Sequence, residues 1–229
     1  MISICCPTRK RPQNMNRIIT SAEQTAPNGG FEFVFYVDSD DQESINFPLL
    51  TDHQRIIGDR IVLSEMWNVC ARHANGDIFM HCGDDIIFRS PGWVDIVERV
   101  YNEAVPDKIA LVHGDDGLWG ASFGTHCFVS RTWVDALGYL CPPYFSSDWN
   151  DTWLNELGNA LNRRYYFPDI VTEHMHPVVG KAGWDETHLD RQARGLRDNV
   201  DEIYKSPDMV EARKIDYEKL LKVINDNRS

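Results

Sequence analysis

The chain has 229 residues and a mass of 26.4 kDa, with 42% hydrophobic and 25% charged residues. These are ordinary globular proportions that exclude global disorder and leave room for one large domain, or a domain with a tail. Lys plus Arg number 23 against 35 Asp plus Glu, a formal net charge of -12, which counts against a protein that coats nucleic acid with a basic face. No apolar run approaches the roughly 18 residues of a membrane span. The apolar start, residues 1–6, is followed rather than preceded by its charges, Arg9-Lys10-Arg11, the wrong order for a signal peptide. The six Cys form no Cys-x-x-Cys pair and several sit in strand-like runs. The expectation is therefore buried, reduced thiols and a cytoplasmic protein.

Residues 2–6 predict a short buried strand, stopped by Pro7 and followed by the polar loop Thr8-Arg9-Lys10-Arg11. Met15, Ile18, Ile19 and Ala22 then recur at helical spacing, behind a Pro12 suited to a first helical turn. Asn28-Gly29-Gly30 breaks the chain. Residues 31–37 predict a second strand, which runs into the acids Asp38-Ser39-Asp40-Asp41. Residues 56–62 hold a third strand candidate, and Ser64 is expected to cap a helix carrying Met66, Val69 and Cys70. Residues 78–80 begin another strand that delivers His81-Cys82-Gly83-Asp84-Asp85. Ser90-Pro91 predicts the cap and first turn of a helix lined by Val94, Val97 and Tyr101.

The second half is less regular. Strands are expected at 109–112, 128–129, 165–167 and 170–171, and helices at 133–137, 152–161 and from Pro207, where Tyr217, Leu220, Leu221 and Ile224 share a face. Glu173-His174-Met175-His176 follows the last strands. The alternation in the first hundred residues predicts an α/β sheet, mostly parallel and flanked by helices. In such sheets a ligand crevice lies beyond the carboxyl ends of the strands. Three polar loops, 8–11, 38–41 and 83–85, converge on that edge.

Each polar cluster admits a bland and a chemical reading. Asp84-Asp85 is an acidic turn or a pair whose mutual repulsion, roughly 4 kcal/mol at about 4 Å and an effective dielectric near 20, a divalent cation would relieve. His174 and His176, two residues apart, face one side of an extended segment, as an ordinary pair or as metal ligands. Arg9 and Arg11 are a soluble turn, or an anion site beside a helix start. Asp148 and Asp151 are helix caps, or one of them is a general base toward an acceptor hydroxyl.

The order of these motifs resembles a glycosyltransferase with the GT-A fold, closest in style to family 2. The resemblance runs over roughly residues 1–180. It rests on the first strand with its loop through Pro12, on residues 31–38 ending in Asp38, on residues 76–85 approaching an Asp-x-Asp motif, and on residues 124–153 around Ser147-Asp148. It departs from the pattern at Gly83, where Asp is usual, and at Ser147, where Glu is usual. The resemblance implies a GT-A domain over residues 1–180; residues 181–229, helical from Pro207 by their periodicity, are expected to form a C-terminal extension packed on it. It implies donor contacts from Pro7, Thr8, Arg9, Arg11, Asp38, Trp67, Asn68 and Asp84. Metal ligands would come from Asp85 with His174 or His176, holding Mn2+ or Mg2+. The base would be Asp148 or Asp151.

The activity so implied is metal-dependent transfer of a hexose from a nucleotide-diphosphate sugar, with UDP-sugars the family-level guess, and with inversion. The acceptor is open: glycan, lipid, protein, small molecule or modified nucleic-acid base. The alternatives are a non-catalytic nucleotide-sugar or glycan-binding module of the same fold and a nucleotidyltransferase. The latter ranks lower because the first loop lacks Gly.

Overall fold

The computed structural model describes residues 1–227. The chain opens with β1 (Ile2–Thr8), α1 (Pro12–Thr25), β2 (Phe31–Asp38), α2 (Gln42–Asn46), β3 (Gln54–Gly58), α3 (Leu63–His73), β4 (Ile78–His81), β5 (Ile86–Phe88) and α4 (Trp93–Arg99). It continues with β6 (Leu111–Asp115), β7 (Cys127–Ser130), α5 (Arg131–Leu137), α6 (Asn150–Ala160) and β8 (Arg164–His174). Three helices close it: α7 (Glu186–Arg197), α8 (Val200–Lys205) and α9 (Pro207–Asp226).

One mostly parallel sheet runs in the order β3-β2-β1-β4-β7-β6-β8-β5. β3, β2, β1 and β4 are parallel, β7 is antiparallel to β4 and β6, and β8 returns parallel to β6. β1 is buried along its whole length, as a central strand covered on both faces must be. The period of two then divides its side chains. Ile2, Ile4 and Cys6 join Phe33, Phe35, Met80 and Trp93 on one face, and Cys5 joins Val34, Phe79, Trp133 and Trp153 on the other. All six Cys are buried and free.

Two expected caps serve instead as ties between distant segments. Ser64 sits inside α3, and its hydroxyl donates to the Phe145 carbonyl at 3.0 Å. Ser90 precedes α4, which starts after Gly92, and its hydroxyl accepts from the Val171 amide at 2.7 Å. The two short strands expected at 165–167 and 170–171 are one strand, β8. Its pairing with β6 shifts register between His113 and Asp115, and this irregularity accommodates Pro168, which could not donate to a regular ladder. Gly114 is required at that shift: a Cβ there would lie 1.9 Å from the Ile170 carbonyl oxygen.

α9 packs on α5 and α6 through buried Leu220 and Ile224, with Tyr217 and Leu221 only partly buried. Its buried Asp216 accepts from Trp153 Nε1 at 3.1 Å and from the Tyr139 hydroxyl. Among the described residues no helix is long and apolar enough to cross a membrane.

Candidate active site

The carboxyl ends of β1, β2 and β4 open on one cavity of about 250 Å³. The entry to β7, the loop before α6, the end of β8 and the face of α7 complete its wall. At one end lies Asp38, 2% exposed. Its Oδ2 accepts from Arg9 at 2.8 Å, and Arg9 also grips Asp40. Its Oδ1 is buried without a partner. Burial pushes this carboxyl up, against the pull of Arg9 and Arg60.

In the middle, Arg11 joins Asp84 at 2.9 Å to Asp185 at 2.7 Å. Asp84 also accepts from the Thr8 hydroxyl at 2.7 Å, and burial raises its pKa. Desolvation opposes the charge on Asp185, but hydrogen bonds from Arg11 prevail and hold its pKa at about 2.

Beyond them, one donor atom each from Asp85, His126 and His174 lies within 4.8 Å of the others. His174 Nε2 stands 3.4 Å from Asp85 Oδ2. His126 Nδ1 accepts from the Gly83 amide at 3.3 Å, while His126 Nε2 and His174 Nδ1 have no partner. Burial drives His126 down to about 3 and His81 to about 4, so both imidazoles are neutral. Asp85 is opposed by burial yet held well below the usual carboxylate range by His174, His126 and Arg11. Imidazole nitrogens and a carboxylate are a chemically suitable donor set for a divalent ion.

The last wall is the loop before α6. Trp149 there adopts φ +74, a left-handed conformation uncommon outside Gly. It is held by stacking on Tyr204 at 4.1 Å and by a 2.8 Å hydrogen bond from its Nε1 to Asp201. That turn brings Asp148 and Asp151 to the cavity by different means. Asp148 is exposed and bridged by Arg191 of α7. Asp151 sits in the first turn of α6, half-buried, with its pKa raised to about 6 by desolvation.

A scan against protein-family models finds no match, and a search of curated proteins finds none either. Solved structures do match. A mannosyltransferase from Pyrobaculum calidifontis, in complex with GDP-mannose and Mn2+, superposes with a TM-score of 0.62 at 12% identity, over 98% of this chain and 74% of that one. S. aureus TarS residues 1-349 gives 0.57 at 13% identity, over 99% and 91%. Glucosyl-3-phosphoglycerate synthase from Mycobacterium tuberculosis, with Mn2+, UDP and phosphoglyceric acid, gives 0.52 at 14%, over 83% and 73%. This chain has the GT-A fold.

Within that GT-A frame, the structure gathers nearly all the residues singled out from sequence. Pro7, Thr8, Arg9, Arg11, Asp38, Trp67, Asp84, Asp85, Asp148, Asp151, His174 and His176 all line the cavity. Asn68 does not. Its side-chain oxygen accepts from the Leu140 and Cys141 amides, and its NH2 donates to the Cys141 carbonyl. It thus ties α3 to the chain after α5. His176 lies beside His174, with ring centroids 5.1 Å apart, but its Nδ1 accepts from the Val178 amide.

Sequence reasoning missed three features. His126 lies next to Gly83 because β7 runs antiparallel to β4, with His81 opposite Cys127; only that pairing, not any motif, reveals it. Arg60, beside Asp38 at 3.8 Å, follows a strand that ends at Gly58. The third is α7, which roofs the cavity: Asp190 meets Arg60, the Thr187 hydroxyl donates to the Arg9 carbonyl at 2.8 Å, and Arg194 donates to the Ile61 carbonyl at 2.8 Å.

Proposed function

We propose that the protein is a hexosyltransferase that moves a sugar from a nucleotide-diphosphate donor to an acceptor hydroxyl with inversion. The observation that carries this reading is the single cavity with an unpartnered buried acceptor, Asp38 Oδ1, at one end and the Asp85–His174 donor set at the other. A buried carboxylate oxygen seeks an N–H donor. Uracil and guanine carry a ring N–H that meets this need. UDP- or GDP-sugars therefore fit, and among the structural neighbours one holds GDP-mannose and another UDP.

Arg9, Arg11 and Thr8 line the path between the ends. Asp85 and His174 would hold Mn2+ or Mg2+, with His176 beside them; such an ion neutralises a diphosphate and the charge that develops as the sugar departs. Asp151 serves as the general base. Its raised pKa suits proton transfer near neutral pH, and unlike Asp148 it is bound by no arginine among the ion pairs seen here. The acceptor oxygen attacks the anomeric carbon as its proton passes to the Asp151 carboxylate. The bond from that carbon to the phosphate oxygen breaks, and its electron pair leaves with the nucleoside diphosphate. One displacement inverts the centre. In this reading residues 1–180 carry the donor machinery and 181–229 are an extension that closes over it.

The test is a thermal-shift panel of UDP- and GDP-sugars with and without Mn2+. A ligand selective for the native state stabilises it by about 2.7 kcal/mol at a hundredfold excess over its Kd. The expected result is a metal-dependent shift with one donor, lost in Asp85→Asn, and an inverted product by NMR. No shift with any nucleotide sugar would refute the proposal.

A further inference from the structure

Four of the five arginines that line the cavity are held by acids. Arg9 takes Asp38 and Asp40, Arg11 takes Asp84 and Asp185, Arg60 takes Asp190 and stands by Asp38, and Arg191 takes Asp148. Arg194 of α7 is the exception. Among the described residues its guanidinium forms no ion pair, and its hydrogen bond goes from Nη2 to a neutral oxygen, the Ile61 carbonyl, at 2.8 Å. In a chain of formal net charge -12 no shortage of acids explains this. Burial pulls the pKa of Arg194 down, Arg60 beside it pulls the same way, and the nearby Asp190 and Asp38 offset this only in part.

The surroundings fix where this guanidinium stands. Ile61 follows Arg60, whose Nε is 3.8 Å from Asp38 Oδ2, so the bond to the Ile61 carbonyl holds Arg194 at the Asp38 end of the cavity. Asp190, one turn earlier on the same face of α7, meets Arg60 at that end. Gly195 seats the helix, since a Cβ there would lie 2.6 Å from Ser147 Oγ. At the same end Asp38 Oδ1 is buried without a partner. The cavity thus offers an unmatched acceptor and an unmatched donor at one end. A neutral group with an N–H beside a C=O satisfies both. An anion would satisfy Arg194 but would be repelled by Asp38 and Asp190.

We propose that Arg194 is a base-reading residue, donating to the exocyclic carbonyl oxygen (O4 of uracil or O6 of guanine) beside the ring N–H that Asp38 Oδ1 accepts. This rests on the reading above for the ligand being a nucleoside diphosphate. It goes further by bringing α7, from the C-terminal extension, into the choice of donor. The match of a guanidinium with guanine O6 is one that recurs in base recognition.

The probes are UDP, GDP and their 4-thiouracil and 6-thioguanine counterparts, which keep the ring N–H and replace the carbonyl oxygen by sulfur, a poor acceptor. Binding is measured by calorimetry near neutral pH with Mn2+ present, beside inorganic pyrophosphate as a control. The parent should bind the better of UDP and GDP several-fold more tightly than its thio form. Arg194→Met, which keeps most of the stem, should weaken the oxo nucleotide by about tenfold or more, the low end of what a hydrogen bond to a charged group is worth. It should bind oxo and thio forms alike and hold pyrophosphate as the parent does. Arg194→Lys, which keeps a charged donor, should recover part of the oxo preference, and it takes the place of Arg194→Met if that variant folds poorly. Equal affinity of the parent for the two forms overturns the proposal with no variant needed and leaves the transferase reading standing. A thio penalty that persists in Arg194→Met gives the carbonyl to another group and overturns it as well. An equal loss of pyrophosphate binding makes Arg194 a phosphate ligand instead. A parent that binds no nucleoside diphosphate sinks both this proposal and the reading on which it rests.

Discussion

On the β1–β2 side of the cavity the charges are matched within the protein: Arg9 holds Asp38 and Asp40, and Arg11 holds Asp84 and Asp185. On the β7–β8 side His81, His126 and His174 each keep a ring nitrogen unpartnered, and Asp151 is held with a pKa of about 6. The first side keeps its shape through its own ion pairs, although Asp38 Oδ1 stays without a partner there, and a diphosphate must exchange with them. The second is kept unsatisfied by burial. An unpartnered buried polar atom costs about 1–3 kcal/mol, and such atoms are few in native proteins unless something supplies the partner. The chemistry is therefore expected on the second side and recognition on the first.

The sharpest way to break this contrast is at Asp151. Asp151→Asn should lower kcat by about 10²–10⁴, the range of general base catalysis, with donor Kd unchanged. Asp148→Asn, which loosens its ties to Arg191 and the Ser147 hydroxyl, should cost less than about tenfold. A base works deprotonated, so the parent's kcat/KM should climb with pH up to about 6 and then level. An equal loss in both variants would undo the assignment. Stability should move the opposite way. The carboxyl is raised from 3.8 to about 6 on folding, so the folded state holds the proton more tightly than the unfolded chain. Stability from this group is then greatest at low pH, falls between about pH 4 and 6, and stays lower above. Asp151→Asn should raise stability at pH 8 by on the order of 1–3 kcal/mol, read from denaturant midpoints at pH 8 and 5.

Asp85→Asn comes next. It should remove the protein's thermal response to Mn2+ and lower transfer by more than the roughly 10- to 100-fold that loss of an outer-shell partner costs. Parallel assays with and without chelator check it. Smaller again, Asp38→Ala on the recognition side should raise donor KM by about 10- to 100-fold, the value of 1.5–3 kcal/mol for a hydrogen bond to a charged group. It should also relax the choice between bases. A fall in kcat with KM unchanged would place Asp38 in the chemistry and erase the division of labour.

The two sides also differed in how far the sequence disclosed them. Parallel strands leave long apolar runs that stop in polar loops, so Thr8, Arg9, Asp38, Asp84 and Asp85 were legible as strand ends. Beyond β4 the sheet turns antiparallel, and function depends on which strands pair. That places His126 beside Gly83, a fact of topology with no local signal. Asn68 stands apart for a related reason: a polar residue on a helix under the site resembles a ligand contact in sequence, while in the fold its side chain meets three backbone partners in the chain after α5. α7 carries a charge pattern that a solvated helix would share, and only its contacts with Arg11, Arg60 and Asp148 set it over the cavity.

Those contacts set α7 against both sides, and Gly195 is where it seats. A Cβ at Gly195 would lie 2.6 Å from Ser147 Oγ and 3.5 Å from Asp148 Oδ2. A Gly within a helix costs roughly 1 kcal/mol relative to Ala, a cost that close packing against Ser147 accounts for. Gly195→Ala should therefore leave stability near the parent's, since the gain in helix propensity offsets a clash that the Ser147 hydroxyl can partly escape by rotating. Gly195→Val cannot be so accommodated, and overpacking of this kind costs about 1–3 kcal/mol. Its expected effect is a lifted α7, seen as a few-fold rise in donor KM with kcat nearly held, because Asp151 and the Asp85 centre are anchored to α6 and the sheet rather than to α7. Steady-state kinetics on both variants checks it. A kcat loss matching the KM change would mean that α7 also positions the reacting groups, and the two sides would then be one mechanical unit.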